Sequence, residues 1–400
     1  MNLQADRLKR IKPSMTVAIN VKANALRSQG KDVLVLAAGE PDFDTPVNII
    51  NAAKKAMEQG KTRYVPGKGT PELQEAIISK FNKDNNISYA PEEIMVGVGG
   101  KHIIYNAMMA TLNPNDEVII PAPYWVSYPD IVLLAEGKPI IVECSLKQNF
   151  KITPSQLEKN ISAKTKWLML NSPSNPTGSI YTLSELKALS DILVKYPNVL
   201  VLTDDIYEKI IYENNIFSTL ASVEPKLKDR VLTMNGVSKT YCMTGWRLGY
   251  CGGPKEIIAG MNKIQSQSTT STSSISMAAA VEALNGDQEF ISKHNNEFKK
   301  RRDLIVEKLN NIEGITCDSP PGAFYVYPSC EGIIGKKTTD GNIIANDEDL
   351  MNFLLETEGV AGVHGAAFGL SPYFRLSYAT DEKTLIDACE RIARACSNLK

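Results

Sequence analysis

The sequence predicts an α/β protein: a large domain with a mostly parallel central sheet flanked by helices, followed by a smaller α+β domain. Three observations carry this. Between about residues 90 and 255, short Val/Ile/Leu-rich runs alternate with helix-patterned segments, as parallel crossovers require. From about 286 that alternation gives way to one long amphipathic pattern, GDQEFISKHNNEFKKRRDLIVEKLNN, and then to short strand-like runs. The chain has 400 residues, 43% hydrophobic and 22% charged, which is ample for more than one core in an ordinary globular composition.

Taken in order, residues 1–40 lack an independent core and are expected to pack on the C-terminal part. Residues 41–290 form the expected large, ligand-binding domain and residues 291–400 the small one. Within the large domain EIMVGVG precedes HIIYNAMMATL, and EVIIPAP precedes SYPDIVLLAEG. KPIIVEC and KTKWLMLNSP lead to LSELKALSDILVKY, and NVLVLTDD follows. Open sheets of this kind bind ligands at the carboxyl ends of their strands. In the small domain, AFYVYP, GVAGVHGAAFG and YFRLSYA supply the strand-like runs. The KKRRD run reads as a solvated helix face, because no aromatic residues are interleaved with it.

Composition excludes several function classes. A formal net charge of −1 provides no basic field for nucleic acid or an anionic membrane. The N-terminal MNLQADRLKRIKPS has no apolar stretch of signal-peptide length, and runs such as VLVLAAG are strand-sized, so a cytoplasmic protein is expected. Seven scattered cysteines without a CxxC pair suit reduced packing residues. Three histidines and no HExxH make no case for a metal.

Polar residues at strand ends carry the chemistry. In VSKTYCMTGWRLGY, 237–250, the cations Lys239 and Arg247 sit in an apolar, aromatic stretch. A buried lysine needs an anion or a covalent partner, or it becomes a neutral nucleophile; the alternative is a lysine that reaches water from a half-buried loop. GVGGK, 97–101, ends a strand and opens a helix, so its free N–H groups offer an anion cradle; a tight turn with an exposed Lys101 is the competing reading. It is no dinucleotide fingerprint, since His102 occupies the third glycine position. NSPSNPTG, 171–178, is a turn at a strand end. In TDDIYEKI, 203–210, one of Asp204 and Asp205 is expected to cap a helix, and the other, if buried, needs a cation. Tyr207, three residues after Asp204, would share its side of a helical turn. GVSKT lacks the second glycine of a serine nucleophile elbow. A lysine, an arginine, a strand-end aspartate and an anion cradle together suit a cofactor with an aldehyde, a phosphate and a basic ring nitrogen. Pyridoxal 5′-phosphate has these groups.

With AAGEPDFDTP, TRYVPGKGTPELQEAI, PAPYWVSYP and FGLSPYFRLSYA added to these motifs, the chain resembles the class I pyridoxal-phosphate aminotransferases of fold type I over nearly its whole length. The resemblance is nearest to the bacterial aspartate aminotransferase branch, which includes prephenate-using members. It implies that Lys239 is covalent anchor and then proton shuttle, and that Asp204 pairs with the ring nitrogen. Asn175 and Tyr207 would bond the ring hydroxyl oxygen, and Trp125 would stack on the ring. Gly100, Lys101, Arg247 and the partner subunit's Tyr64 would hold the phosphate, with Ser238 completing the cofactor set. Arg375 would clamp the substrate α-carboxylate, with Gly39, Trp125 and Asn175 also against substrate. Lys101, with Ser14 nearby, would meet a distal carboxylate, and Lys12 in IKPS matches a lysine of prephenate users. His364, the 268–274 segment and Gly236 depart from the usual pattern. The expected protein is a homodimer with shared sites that transfers the amino group of L-aspartate to 2-oxoglutarate in two stages. The alternatives are a prephenate or aromatic aminotransferase, a lyase using the same cofactor, and a non-catalytic binding protein of this fold.

Overall fold

A computed structural model of the chain describes residues 3–13 and 15–400. Helix α1 (Met15–Ser28) leads to the two-residue strand β1 (Leu34–Val35), then α2 (Val47–Glu58) and α3 (Pro71–Asn85). The large sheet begins at β2 (Ile94–Gly97), with α4 (Gly100–Thr111), β3 (Glu117–Ala122), α5 (Ser127–Leu134) and β4 (Lys138–Glu143) following. It continues through α6 (Pro154–Asn160), β5 (Thr165–Asn171), α7 (Leu183–Leu193), β6 (Leu200–Asp204), α8 (Leu220–Val223), β7 (Val231–Gly236) and β8 (Gly249–Gly252). The strands lie in the order β2-β8-β7-β6-β5-β3-β4. Strand β8 runs antiparallel to both neighbours, and the other pairs are parallel.

Period-two patterning makes this a three-layer structure. Along β5, Leu168 and Leu170 enter one core with Leu73, Phe81 and Leu186, while Trp167 and Met169 enter the opposite core with Ile103, Met108 and Val132. Local signals start the helices. Thr70 accepts from Leu73 N ahead of Pro71 in α3, and Thr182 and Glu185 form a reciprocal cap on α7.

After α9 (Lys255–Ser266) and α10 (Ser274–Asn285), the long α11 (Glu289–Asn310) crosses to the smaller core. There β9 (Tyr325–Val326), α12 (Asp347–Glu358), β10 (Val360–Ala361), β11 (Val363–His364), β12 (Phe374–Ser377) and α13 (Glu382–Ser397) assemble. Strand β1 pairs in parallel with β10, and Ala23 and Val33 pack with Leu355 and Ala361. The expected boundary at 290/291 falls in the first turn of α11. Its Phe290 and Ile291 pack on the larger core, whereas Phe298, Ile305 and Leu309 belong to the smaller. We keep the three-part division as a proposal, with α11 joining the two cores.

Two sequence expectations need correction. Arg301 and Arg302 of the KKRRD run are buried, not solvated. Arg301 Nη1 donates to both Asp42 carboxylate oxygens at 2.8 and 2.9 Å, and Arg302 pairs with Glu213 and with its neighbour Asp303, so carboxylates compensate both cations. No helix begins directly after β6 either: residues 206–209 form turns, and neither Asp204 nor Asp205 is an N-cap.

Gly178 joins the two parts. Its φ is +69°, and a Cβ there would lie 2.4 Å from Gly322 O and 2.6 Å from Pro320 Cβ. Gly178→Ala is expected to cost about 2 kcal/mol or more in urea unfolding, from left-handed strain plus the overpacked loop contact. A loss below about 0.5 kcal/mol, within the range of neutral surface changes, would contradict this close approach.

Candidate active site

The carboxyl ends of β3, β5, β6 and β7, together with the start of α4, open into one cleft of about 350 Å³. Gly100, Lys101, Trp125, Asn175, Asp204, Tyr207, Ser238, Lys239, Arg247, Gly39 and Arg375 all line it. Its position next to the point where the strand order reverses, between β5 and β3, is where open α/β sheets bind ligands.

Lys239 follows β7, and its Nζ donates to Gly39 O while lying 5.9 Å from the Tyr207 and Phe324 ring centroids. Burial pushes its pKa down to about 8. The nearby Glu40 opposes this shift, while the Arg375 and Arg247 cations add to it. A neutral amine, a usable nucleophile and base, is therefore accessible near neutral pH.

Asp204, the last residue of β6, accepts from Tyr128 Oη at 2.6 Å and from Ile206 N at 3.4 Å. Burial raises its carboxyl to about 6, and these hydrogen bonds and Lys239 offset only part of the rise. A cationic ligand nitrogen would relieve that cost. Tyr207 meets Tyr325 Oη at 2.8 Å, and burial, followed by Tyr325, raises its phenol well above the usual range. Asn171 ties the two strand ends together: its Nδ2 donates to Asp204 O at 2.8 Å and its Oδ1 accepts from Asn175 N at 2.8 Å.

Two cations in the cleft have only neutral partners among the described residues. Arg375 is 2% exposed; it donates to Asn175 Oδ1 at 2.8 Å and to Ala37 O at 2.7 Å, and its buried Nε has no partner. The guanidinium also lies 4.6 Å from the Tyr325 ring and 5.1 Å from the Phe368 ring. A buried cation so arranged calls for an anion from outside the chain, and its planar fork matches a carboxylate. Arg247 donates to Thr244 O at 2.7 Å, and its guanidinium lies against the α4 N-terminus. A Cβ at Gly99 would fall 2.5 Å from Arg247 Nη2, and one at Gly249 would fall 2.5 Å from Gly100 N. Bare glycine backbone thus lets the cation and the helix N–H groups converge on one point, which suits a phosphate. Lys101 lies 4.9 Å over the Trp125 ring, and burial, then Arg247, lowers its pKa.

Two expected residues lie elsewhere. Tyr64 is 93% exposed beside a separate depression with Gly60, Thr70 and Ser274. Lys12 is exposed and faces Asp130 at the start of α5. Ser14 lies outside the described residues. Gly236 is closely packed, since a Cβ would meet Ile206 Cδ1 at 3.0 Å and Leu248 O at 3.1 Å.

Sequence reasoning missed Tyr128, Asn171, Tyr325 and Glu40. Tyr128, three residues past Trp125 in PAPYWVSYP, had a usable signal: a buried tyrosine in the first turn of a helix needs a partner for its hydroxyl. The others become site residues only through contacts between distant segments.

A family model described as aminotransferase class I and II matches residues 31–392. Over its full length the chain is 55% identical to a probable aspartate/prephenate aminotransferase of Rhizobium leguminosarum bv. phaseoli, covering 100% of both. It is 54% identical to an aspartate/prephenate aminotransferase of Cereibacter sphaeroides, again covering 100% of both. A crystal structure of the aspartate aminotransferase from Rhizobium meliloti superposes with a TM-score of 0.98 at 49% identity, covering 100% of both chains. The Thermus thermophilus aspartate aminotransferase with maleate gives 0.91 at 42%, covering 99% of this chain and 100% of that one.

Proposed function

The chain belongs to the class I and II aminotransferases, and on that premise we propose that it uses pyridoxal 5′-phosphate to move the amino group of L-aspartate to 2-oxoglutarate. Oxaloacetate and L-glutamate are the products. One observation carries this reading: a buried amine, Lys239, and a buried arginine with only neutral partners, Arg375, face the same cleft.

The residues present fit the cofactor. Arg247, the bare backbone at Gly99 and Gly100, and Ser238 would hold the phosphate; Asp204 would hold the ring nitrogen; Asn175 and Tyr207 would hold the ring hydroxyl; Trp125 would cover the ring. When bound, the cofactor supplies a reactive aldehyde carbon and an electron-withdrawing ring that accepts the electron pair left by Cα–H cleavage. Lys239 Nζ would anchor the aldehyde and, when free, would take and return the substrate Cα proton. Arg375 grips the α-carboxylate through its two-nitrogen edge and so fixes which Cα bond faces Lys239. Gly39 leaves room for the ligand, as a Cβ there would already lie 3.2 Å from Tyr325 Oη. Lys101, exposed to the cleft over Trp125, meets the distal carboxylate of the acidic substrate.

We also place Tyr64 at the phosphate of a second copy of the chain, which makes the working unit a homodimer. Its near-complete exposure away from its own cleft supports that role. Seven free cysteines suit a cytoplasmic setting, and no helix among the described residues is long and apolar enough to cross a membrane.

The test is product stoichiometry. Aspartate and 2-oxoglutarate should give oxaloacetate and glutamate one for one; ammonia release in place of glutamate would instead indicate a lyase. Lys101→Ala should lower kcat/KM for aspartate by roughly 10- to 100-fold, the loss of one charge-assisted contact, and spare alanine as donor. Equal losses for both donors would reject the role of Lys101. A second reading, prephenate as acceptor, rests on the names of the two Rhizobium and Cereibacter relatives. Its candidate lysine, Lys12, is exposed beside Asp130 and outside the cleft, so comparing rates with prephenate and oxaloacetate as acceptors decides it.

A further inference from the structure

The floor of the cleft includes a non-helical turn. Asp204 and Tyr207, which face the cleft, sit on residues 204–208, where Glu208 N reaches Asp205 O at 2.9 Å and Ile210 N reaches Tyr207 O at 2.8 Å. Asp205 and Glu208 alternate with them and are buried away from the cleft. There Glu208 meets Lys80 Nζ of α3 in an ion pair whose side chains are 3% and 6% exposed. Asn85, at the end of the same helix, joins both: it accepts from Lys80 Nζ at 2.7 Å and donates to Glu208 Oε2 at 2.8 Å. Thr203 donates to Asp205 at 3.4 Å and approaches Thr219 Oγ1 at 3.3 Å. Burial, more than any charge, drives the Asp205 carboxyl well up, with Glu208 adding to the rise and Lys80 opposing it. Other titratable groups face this network: the Lys209–Asp84 pair at 2.8 Å, and the buried phenols of Tyr89, Tyr241 and Tyr250.

The geometry points to Lys80 as a positioning residue: by pairing with Glu208 it pins the 204–208 turn, so that Asp204 and Tyr207 hold the cofactor ring, and cancels the Glu208 charge within the buried turn. This rests on the cofactor reading above. The ion pair lies outside the cleft and touches neither substrate nor cofactor. It acts through the five-residue segment 204–208 that carries both ring contacts. A buried pair at this place is otherwise a poor source of stability compared with apolar packing. Its use here is to give a non-helical turn one conformation and one charge state.

The charge argument fixes opposite signs for two variants. Lys80→Met leaves Glu208 uncompensated, which favours protonated forms nearby. Glu208→Gln leaves Lys80 uncompensated, which disfavours them. In the cofactor-loaded protein, the visible band of the lysine-bound cofactor is titrated with pH, and cofactor retention is followed during dialysis. Lys80→Met should move the midpoint up by about one pH unit and speed cofactor loss. Glu208→Gln should move the midpoint down, the double variant should return it toward wild type, and Lys80→Arg should keep it. A folded Lys80→Met with unchanged midpoint and retention, or two single variants shifting in the same direction, overturns the inference. If Lys80→Met does not fold, Glu208→Gln alone decides, and a midpoint that stays or rises overturns it. Absence of any visible band in the wild-type protein overturns the cofactor reading itself, and this inference with it.

Discussion

Lys239→Ala is expected to abolish the visible band of the cofactor-loaded protein and to lower the aminotransferase rate by at least about 10⁴-fold, the upper end for a positioned acid–base group. The reason is local. The Lys239 amine is held at Gly39 O and against the Tyr207 and Phe324 rings, with its pKa pushed down to about 8 by burial. No other lysine replaces it. Lys101 also lines the cleft, but it lies over Trp125 beside the α4 N-terminus. Borohydride should leave no stable cofactor adduct on the variant; an adduct that persists would mean the anchor is a different lysine. Because a buried cation is being deleted, the cofactor-free variant should be at least as stable as wild type, which separates loss of chemistry from loss of fold.

Asp204→Asn should have the second-largest effect, and with opposite signs for activity and stability. The amide can still accept from Tyr128 but cannot offer a negative charge to a ring nitrogen. A fall of roughly 10²–10³-fold in kcat is expected for removing one preorganised electrostatic partner. Stability behaves differently. The folded carboxyl titrates near 6 instead of 3.8, so between those values the folded state binds more protons than the unfolded one. Its contribution to stability therefore falls as pH rises from about 4 to about 6, and stays low above that. Asn has no such penalty. The cofactor-free variant should gain on the order of 1–3 kcal/mol over wild type at pH 8 and little at pH 4, as read by urea unfolding at both values. Equal gains at the two pH values would show that burial of charge is not the cause. The cofactor should reverse the ranking by supplying the missing cation.

Much of the fold was legible because its signals are local. Alternating strand and helix patterns mark the large sheet, and the cleft forms where GVGGK, NSPSNPTG, TDDIYE and VSKT end their strands. Other features depend on contacts between distant segments. The burial of Arg301 and Arg302 needs Asp42 and Glu213, which a scan for aromatic neighbours does not reveal. An aspartate at the end of the apolar run NVLVL suggested a helix cap, yet the Lys80–Glu208 pair and the packing of Tyr207, Ile210 and Tyr212 into the small core keep residues 206–209 in turns. Asn171 serves Asp204 from the end of the neighbouring strand β5 and Tyr128 from the first turn of α5, so their roles follow from the order in which these elements pack. Lys12 matched a motif, but its surroundings are set by Asp130 of α5, more than a hundred residues away.

The central claim is that one cleft joins a covalent lysine to a substrate clamp for L-aspartate. The direct test is the absorption spectrum of the cofactor-loaded protein before and after adding L-aspartate with no keto acid present. The visible band should bleach with one equivalent of oxaloacetate per site, and 2-oxoglutarate should restore it. A visible band that aspartate leaves untouched would contradict that claim.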